Sequence, residues 1–361
     1  MLYHKSMKIA ENIFLKDRID DVIRTNQINT WAADLLSEAC NYTDFFDVNK
    51  IKQYEKAGKT AQDAMLDMMF EAFNLDRDDQ ETCDILKEFV HDRIKCLDKK
   101  TYENDLYAKT VTSNGSYNGY SIKKISYEPY QTFPYDEINV NDKYQELSNI
   151  GFFKEKFSYL ALCEGQNVWM SLNPNEIETM KPFIEKAEGE VLVLGLGMGY
   201  VPFVMANKPE VKHITIIEKD KNIINLFNKV LFPSFINKNK INIIADDAIS
   251  YSTNKKKYDY IFADLWHDPD DGLDLFIKLK RINRNIDCWL ETSLIALLRR
   301  CMVTLIEESL EGLDEKAYKH AKTPTDRVIN TFYQKTKNIT LRDVNDLDNL
   351  LKDETLIDLA I

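Results

Sequence analysis

Four places in the second half of the chain carry residues whose types and order could do chemistry. The first is "VLVLGLGMGYVP", Val191 to Pro202, where an apolar run meets Gly195, Gly197 and Gly199. Three residues without a Cβ allow a tight turn and a close approach of a ligand to the backbone. The second is "HITIIE", ending at Glu218 about twenty residues on, where a carboxylate can accept hydrogen bonds from two ribose hydroxyls. The third is "ADDA", with Asp246 and Asp247. The fourth is "ADLWHDPDDG", in which Asp264 could orient or deprotonate an acceptor and His267 is a second candidate base.

Each signal has a plainer reading. A lone glycine triplet can be a structural turn, Asp247 can simply cap a helix, and His267 can be a loop histidine beside "DPDD". Trp169 and Trp266 could wall a pocket beside a cation or only pack. The agreement of four strand ends in order and spacing is what points to a nucleoside-cofactor site. A dinucleotide is disfavoured, because its fingerprint needs glycine at the sixth position of the loop and Tyr200 stands there.

The elements that must position these residues follow from periodicity. From Val191 the chain alternates strand-like and helical segments: Val191 to Leu194, His213 to Glu218, Ile241 to Ala245, Tyr258 to Leu265 and Ile286 to Glu291 read as strands. Strands at this spacing with helices between them predict an α/β fold with a doubly wound parallel sheet, whose ligands sit at the carboxyl ends of the strands. Ahead of it, "NPNEIETMKPFIEKAEG" reads as a helix with Asn173 as cap, Pro174 at the first position and Glu176 closing a capping box. Segments rich in aromatic and β-branched residues ("LYAKTV", "SIKKISYEPYQTF", "FSYLALCEGQNVWMSL") predict a small β-rich domain. Up to about Leu97 the pattern is helical, with Met65, Met68 and Met69 in a packing stripe after a cap at Thr60. The expected organisation is a helical domain over 1–100, a β-rich domain over 101–172, a Rossmann-like cofactor domain over 173–295 and a helical C-terminal extension over 296–361.

Composition narrows the function classes. Forty-seven basic against fifty-nine acidic side chains leave a net charge of -12, which disfavours nucleic acid and anionic membranes and favours a neutral or cationic small-molecule substrate. The basic run "KLKRINR", Lys278 to Arg284, reads as a solvated helix face. Six scattered cysteines without a C-x-x-C pair indicate neither a zinc site nor a disulfide framework. The N-terminal segment lacks the apolar run of a signal peptide, so a reducing cytoplasm is the expected compartment, and a homodimer is one expected assembly.

The G-x-G-x-G loop, the acid-ending second strand and the following "D-A" resemble the class I S-adenosylmethionine-dependent methyltransferases. Within that class "VLVLGLGMG", "HITIIEKDKNIINLF", "IIADDAISY" and "KKYDYIFADLWHDP" look most like the spermidine synthase-like branch. The resemblance implies S-adenosylmethionine as cofactor. Gly195, Gly197, Met198 and Gly199 would lie along its methionine and ribose part, Glu218 at the ribose hydroxyls, Asp246 and Asp247 at the adenine amino group, and Asp264 at the reacting centre. Two departures separate the chain from the aminopropyltransferases of that branch. Met198 occupies the loop position where they carry an acid, and "EGQNVW" lacks the glutamine of their "D-G-x-x-Q". An acid in the loop would repel the carboxylate of S-adenosylmethionine and methionine would not, so the expected activity is methyl transfer to a small or medium polar acceptor. Aminopropyl transfer to a polyamine and a non-catalytic cofactor-binding scaffold are the alternatives. The sheet-closing hairpin usual in this class has only "NITL", Asn338 to Leu341, as a candidate.

Overall fold

The computed structural model describes residues 7–253, 256–311 and 322–361. It is a mixed α/β structure that divides into two compact units. One comprises Trp31–Glu137 and Leu147–Asp264, the other Met1–Thr30, Ile138–Glu146 and Leu265–Ile361.

Two sheets of the first unit bear on the site. In the antiparallel one, β1 (Gly115–Tyr117), β2 (Tyr120–Tyr127), β3 (Phe157–Glu164) and β4 (Asn167–Ser171) lie in the order β4-β3-β2-β1. In the parallel one, β5 (Gly189–Leu194), β6 (Val211–Glu218), β7 (Ile241–Ala245) and β8 (Tyr260–Ala263) lie in the order β7-β6-β5-β8. The parallel arrangement is consistent with a Rossmann-like fold. Val191 to Leu194 of β5 are all at most 2% exposed, which explains their unbroken apolar run: a central parallel strand is covered on both faces. Strand order reverses between β5 and β8, so the ligand crevice of such a sheet belongs beyond Leu194 and Ala263.

The antiparallel sheet is fastened to the parallel one through the helix Lys221–Val230. That helix buries Ile223, Leu226, Phe227 and Val230, the apolar stripe of a 3.6-residue period. Asp220 caps it by accepting the Asn222 amide, and the Tyr120 hydroxyl donates to the other carboxylate oxygen at 2.9 Å. The Met65, Met68 and Met69 stripe is buried as expected, behind a capping box formed by Thr60 and Asp63.

Several elements differ from their sequence reading. "LYAKT" is a short helix, Leu106–Thr110, because Asp105 caps it by accepting the Ala108 amide and Tyr107 is buried. The helical pattern before Leu97 ends early: Ile94–Cys96 is a strand paired with Ile150–Phe152. In the second unit the segment 286–291 forms strand only at Asp287–Cys288. Leu290 takes φ of 54°, and Glu291 opens the helix Glu291–Glu311. "NITL" contributes Thr340–Leu341 to a two-stranded sheet with Lys8–Ile9 and closes nothing larger. The basic run is exposed at Lys278, Arg281 and Arg284, as expected of a solvated face, and departs from that reading at Lys280. Lys280 is 4% exposed and bonded to Glu291 at 2.6 Å, Arg281 donates to the Ile361 carbonyl, and Arg284 pairs with Asp358. The expected C-terminal helices include Glu291–Glu311 and Pro324–Thr336, while 312–321 lies outside the described residues. No helix among the described residues is long and apolar enough to cross a membrane.

The glycine turn rests on Tyr107, which is fully buried and donates its hydroxyl to the Met198 carbonyl. The Tyr107 ring meets Tyr200 and Phe203 edge-on, at 5.6 and 5.1 Å between centroids. Removing the hydroxyl leaves that carbonyl without its donor, a cost of about 1–3 kcal/mol. Tyr107→Phe is therefore expected to lower the melting temperature by roughly 2–4 °C per kcal/mol. An unchanged melting temperature would contradict this role.

Candidate active site

The turn after β5 is built from all three glycines in the left-handed region, with φ of 101° at Gly195, 50° at Gly197 and 76° at Gly199. A side chain at any of them would be strained. The three are not equivalent. A Cβ on Gly199 would lie 2.4 Å from the Phe227 ring, so this residue serves helix-to-strand packing, the role that the dinucleotide loop gives to its sixth position. A Cβ on Gly197 would lie 2.2 Å from Met170 Sδ.

Neighbouring strand ends are tied to one another. The Gly195 amide donates to the Ile217 carbonyl at 2.9 Å, and the Asp264 amide to the Leu194 carbonyl at 2.8 Å. Glu218 closes the set: one carboxylate oxygen accepts the Leu196 amide at 3.2 Å and the other accepts the Asp220 amide at 2.8 Å. An ionised carboxylate has about four acceptor positions, so two remain for hydroxyl donors.

Asp246 and Asp247 stand exposed at the end of β7. The Asp246 amide donates to the Glu218 carbonyl at 3.1 Å, which places this corner beside Glu218. Asp247 also does what its plainer reading implied: it caps the short helix Ala248–Ser252 by accepting the Ser250 amide.

A cavity of about 20 Å³ lies at the strand-order reversal, lined by Gly195, Met198, Gly199, Met170, Glu176 and Asp264 among others. That volume is near that of a single water site. Glu176 is the residue that sequence reasoning misread. Asn173 caps the helix Pro174–Lys186 by accepting the Glu176 amide, but no reciprocal bond from the Glu176 carboxyl completes a capping box. The carboxyl lines the cavity instead. Burial, and then the charge of Asp264, push its pKa well above the ordinary carboxylate value. Two acids facing one small cavity each disfavour ionisation of the other, which adds to the effect of burial on Glu176. The signal for Glu176 was present in the sequence, an acid one turn into the helix that delivers the chain to β5, but its spacing from Asn173 matched a cap.

Sequence reasoning also missed Met170 and Tyr107, which come from β4 and from a segment read as strand. His267 belongs to the second unit. Its ring is half exposed, and its Nδ1 stands 3.0 Å from the Asp271 carboxylate, which also accepts the Asp268 amide in the capping box of the following helix, Pro269–Ile282. Trp266 is packed against Gly272 and donates to the Trp289 carbonyl, whereas Trp169 is 41% exposed and meets the Tyr120 ring edge-on.

The raised pKa of Glu176 has a signed consequence. The folded state holds a proton that the unfolded state releases above its ordinary value of 4.5, so stability from this group is complete below about 4.5 and declines as pH rises toward the raised folded value. Glu176→Gln should remove that decline. The melting temperature of the variant should exceed that of the parent by a margin that widens as pH rises above the ordinary carboxylate value of 4.5. A constant margin would refute the shift.

Residues 175–341, just under half of the chain, match the family model of the Spermine/spermidine synthase domain. No curated protein matches the chain. The match begins within the helix that carries Glu176 and runs through the glycine turn, Glu218 and Asp264, so the segment that supplies most of the cavity is the segment that carries the family's pattern. Residues 175–341 are thus similar to the spermine/spermidine synthase domain, which is consistent with the spermidine synthase-like branch of the class I methyltransferase-like fold.

Proposed function

We propose that the chain transfers an aminopropyl group from a sulfonium nucleoside, decarboxylated S-adenosylmethionine, to a primary amine of a small cationic acceptor. The observation that carries this reading is the pair of acids, Glu176 and Asp264, at one cavity beside the glycine turn. An ammonium group entering there offsets the burial and the Asp264 charge that raise the Glu176 pKa, so acceptor binding and ionisation of Glu176 favour each other. The family match over 175–341 supports the same class, and a net charge of -12 attracts a polyamine rather than repelling it.

The residues present fit a nucleoside donor. Glu218 keeps acceptor positions for ribose hydroxyls, the exposed acids at 246 and 247 suit an adenine amino group, and the glycine turn leaves no side chain between backbone and ligand. The reaction itself is an in-line displacement. The acceptor nitrogen forms a C–N bond to the carbon attached to sulfur, the C–S bond breaks, and its electron pair stays on sulfur as a neutral thioether. The nitrogen gives up one proton. Asp264 accepts a hydrogen bond from that nitrogen, aims its lone pair at the carbon and receives or relays the proton. The Leu194 carbonyl fixes the Asp264 backbone by accepting its amide, which keeps the carboxyl at the mouth of the turn.

Met198 favours a second reading, methyl transfer from S-adenosylmethionine, because no acid at this loop position repels that donor's carboxylate. The nucleoside product separates the two: 5′-methylthioadenosine after aminopropyl transfer, S-adenosylhomocysteine after methyl transfer. Under the proposed function 5′-methylthioadenosine accumulates with a diamine acceptor. Asp264→Asn should retain calorimetric binding of the donor while turnover falls roughly 10²–10⁴-fold. Full turnover in that variant would remove Asp264 from the mechanism. Binding heat with a donor but no nucleoside product from either would favour the non-catalytic cofactor-binding alternative.

A further inference from the structure

The space beside the glycine turn is held by a side chain of the protein itself. Met170 lies on β4, and β4 pairs with β3 through a register shift: Val168 faces Cys163 and Met170 faces Leu162, with Trp169 as the extra residue. A bulge of this kind turns the following side chains relative to the regular pleat. Here it leaves Trp169 substantially exposed and brings the Met170 thioether onto the turn. Met170 Sδ accepts the Met198 amide at 3.2 Å, and Sδ and Cε lie 2.2 and 2.5 Å from where a Cβ of Gly197 would be. The remaining cavity, about 20 Å³, is far below the roughly 300 Å³ at which small-molecule sites begin.

Three properties make this occupancy reversible. A thioether is a weak acceptor, so the Met198 amide is poorly satisfied by it and gains from an oxygen in its place. Methionine is unbranched and moves among rotamers at low cost. The atoms that crowd Gly197 are the far end of the side chain rather than backbone.

We propose that Met170 is a displaceable occupant of the donor site, and that this side chain sets donor affinity by holding the Met198 amide and the space beside Gly197 until the donor replaces it. The proposal rests on the reading of this cleft as the donor site. It makes the antiparallel sheet a working part of that site, because the bulge in β4 determines where the thioether lies.

The test uses the full chain with 5′-methylthioadenosine and decarboxylated S-adenosylmethionine as probes. If the thioether competes with the ligand, Met170→Ala binds both about tenfold or more tightly than the parent in calorimetry. In the parent labelled with ¹³C at the methionine methyl groups, the Met170 resonance, identified by its absence from the alanine variant, moves toward the position of a solvent-exposed methionine as ligand saturates. Equal or weaker binding by Met170→Ala overturns the proposal while leaving the site reading intact. So does a Met170 resonance that stays in place in the saturated parent, a result that does not depend on how the variant folds. No binding of either probe by either protein overturns the site reading and the proposal with it.

Discussion

The grip of Glu218 on the Leu196 amide is the contact on which the rest of the site depends. It reaches from the end of β6 to the turn after β5 and fixes the turn against its neighbouring strand. The same carboxylate holds the Asp220 amide, and Asp220 is the cap that Tyr120 reaches from the antiparallel sheet. One side chain therefore joins the glycine turn, the helix after β6 and the sheet that carries Met170. Under the proposed function its remaining acceptor positions take ribose hydroxyls, so ligand recognition and local structure would use the same group.

The glycines divide the work of the turn. Gly199 admits the Phe227 ring from the helix after β6, which lets that helix pack close to the turn, while Gly197 leaves room for whatever lies above it, here the end of Met170. Tyr107 supports the turn from below through the Met198 carbonyl. The carbonyl and amide of Met198 are both engaged by side chains remote in sequence, the carbonyl by the Tyr107 hydroxyl and the amide by the weaker Met170 thioether. The acid that the loop lacks has a counterpart nearby in Glu176, which enters the same cavity from the preceding helix.

The parallel sheet was legible in the sequence because its strands are short, apolar on both faces and end in polar residues, and those strand ends are where Glu218, Asp246 and Asp264 stand. The strand reading of 106–111 failed because the cap at Asp105 and the burial of Tyr107 outweigh β-branched composition over so few residues. Glu176 was visible but assigned to a cap, since one spacing serves both a capping box and a carboxyl aimed along the helix start. Met170 could not be read at all: its placement depends on a one-residue bulge in β4, and a register shift leaves no trace in composition. Within the basic run at 278–284 it is Lys280 that departs from the solvated reading, because its partner Glu291 opens the following helix and draws the ammonium group inward.

Under the proposed function, nucleoside recognition, acceptor binding and chemistry share one crevice where strand order reverses between β5 and β8. Its most direct test is an experimental structure with 5′-methylthioadenosine bound. The account predicts ribose hydroxyls on Glu218, the thioether sulfur beside Gly197 on the side of Asp264, and the Met170 side chain moved away from the Met198 amide. A nucleoside bound elsewhere, or one bound in the crevice with its ribose away from Glu218, would contradict it.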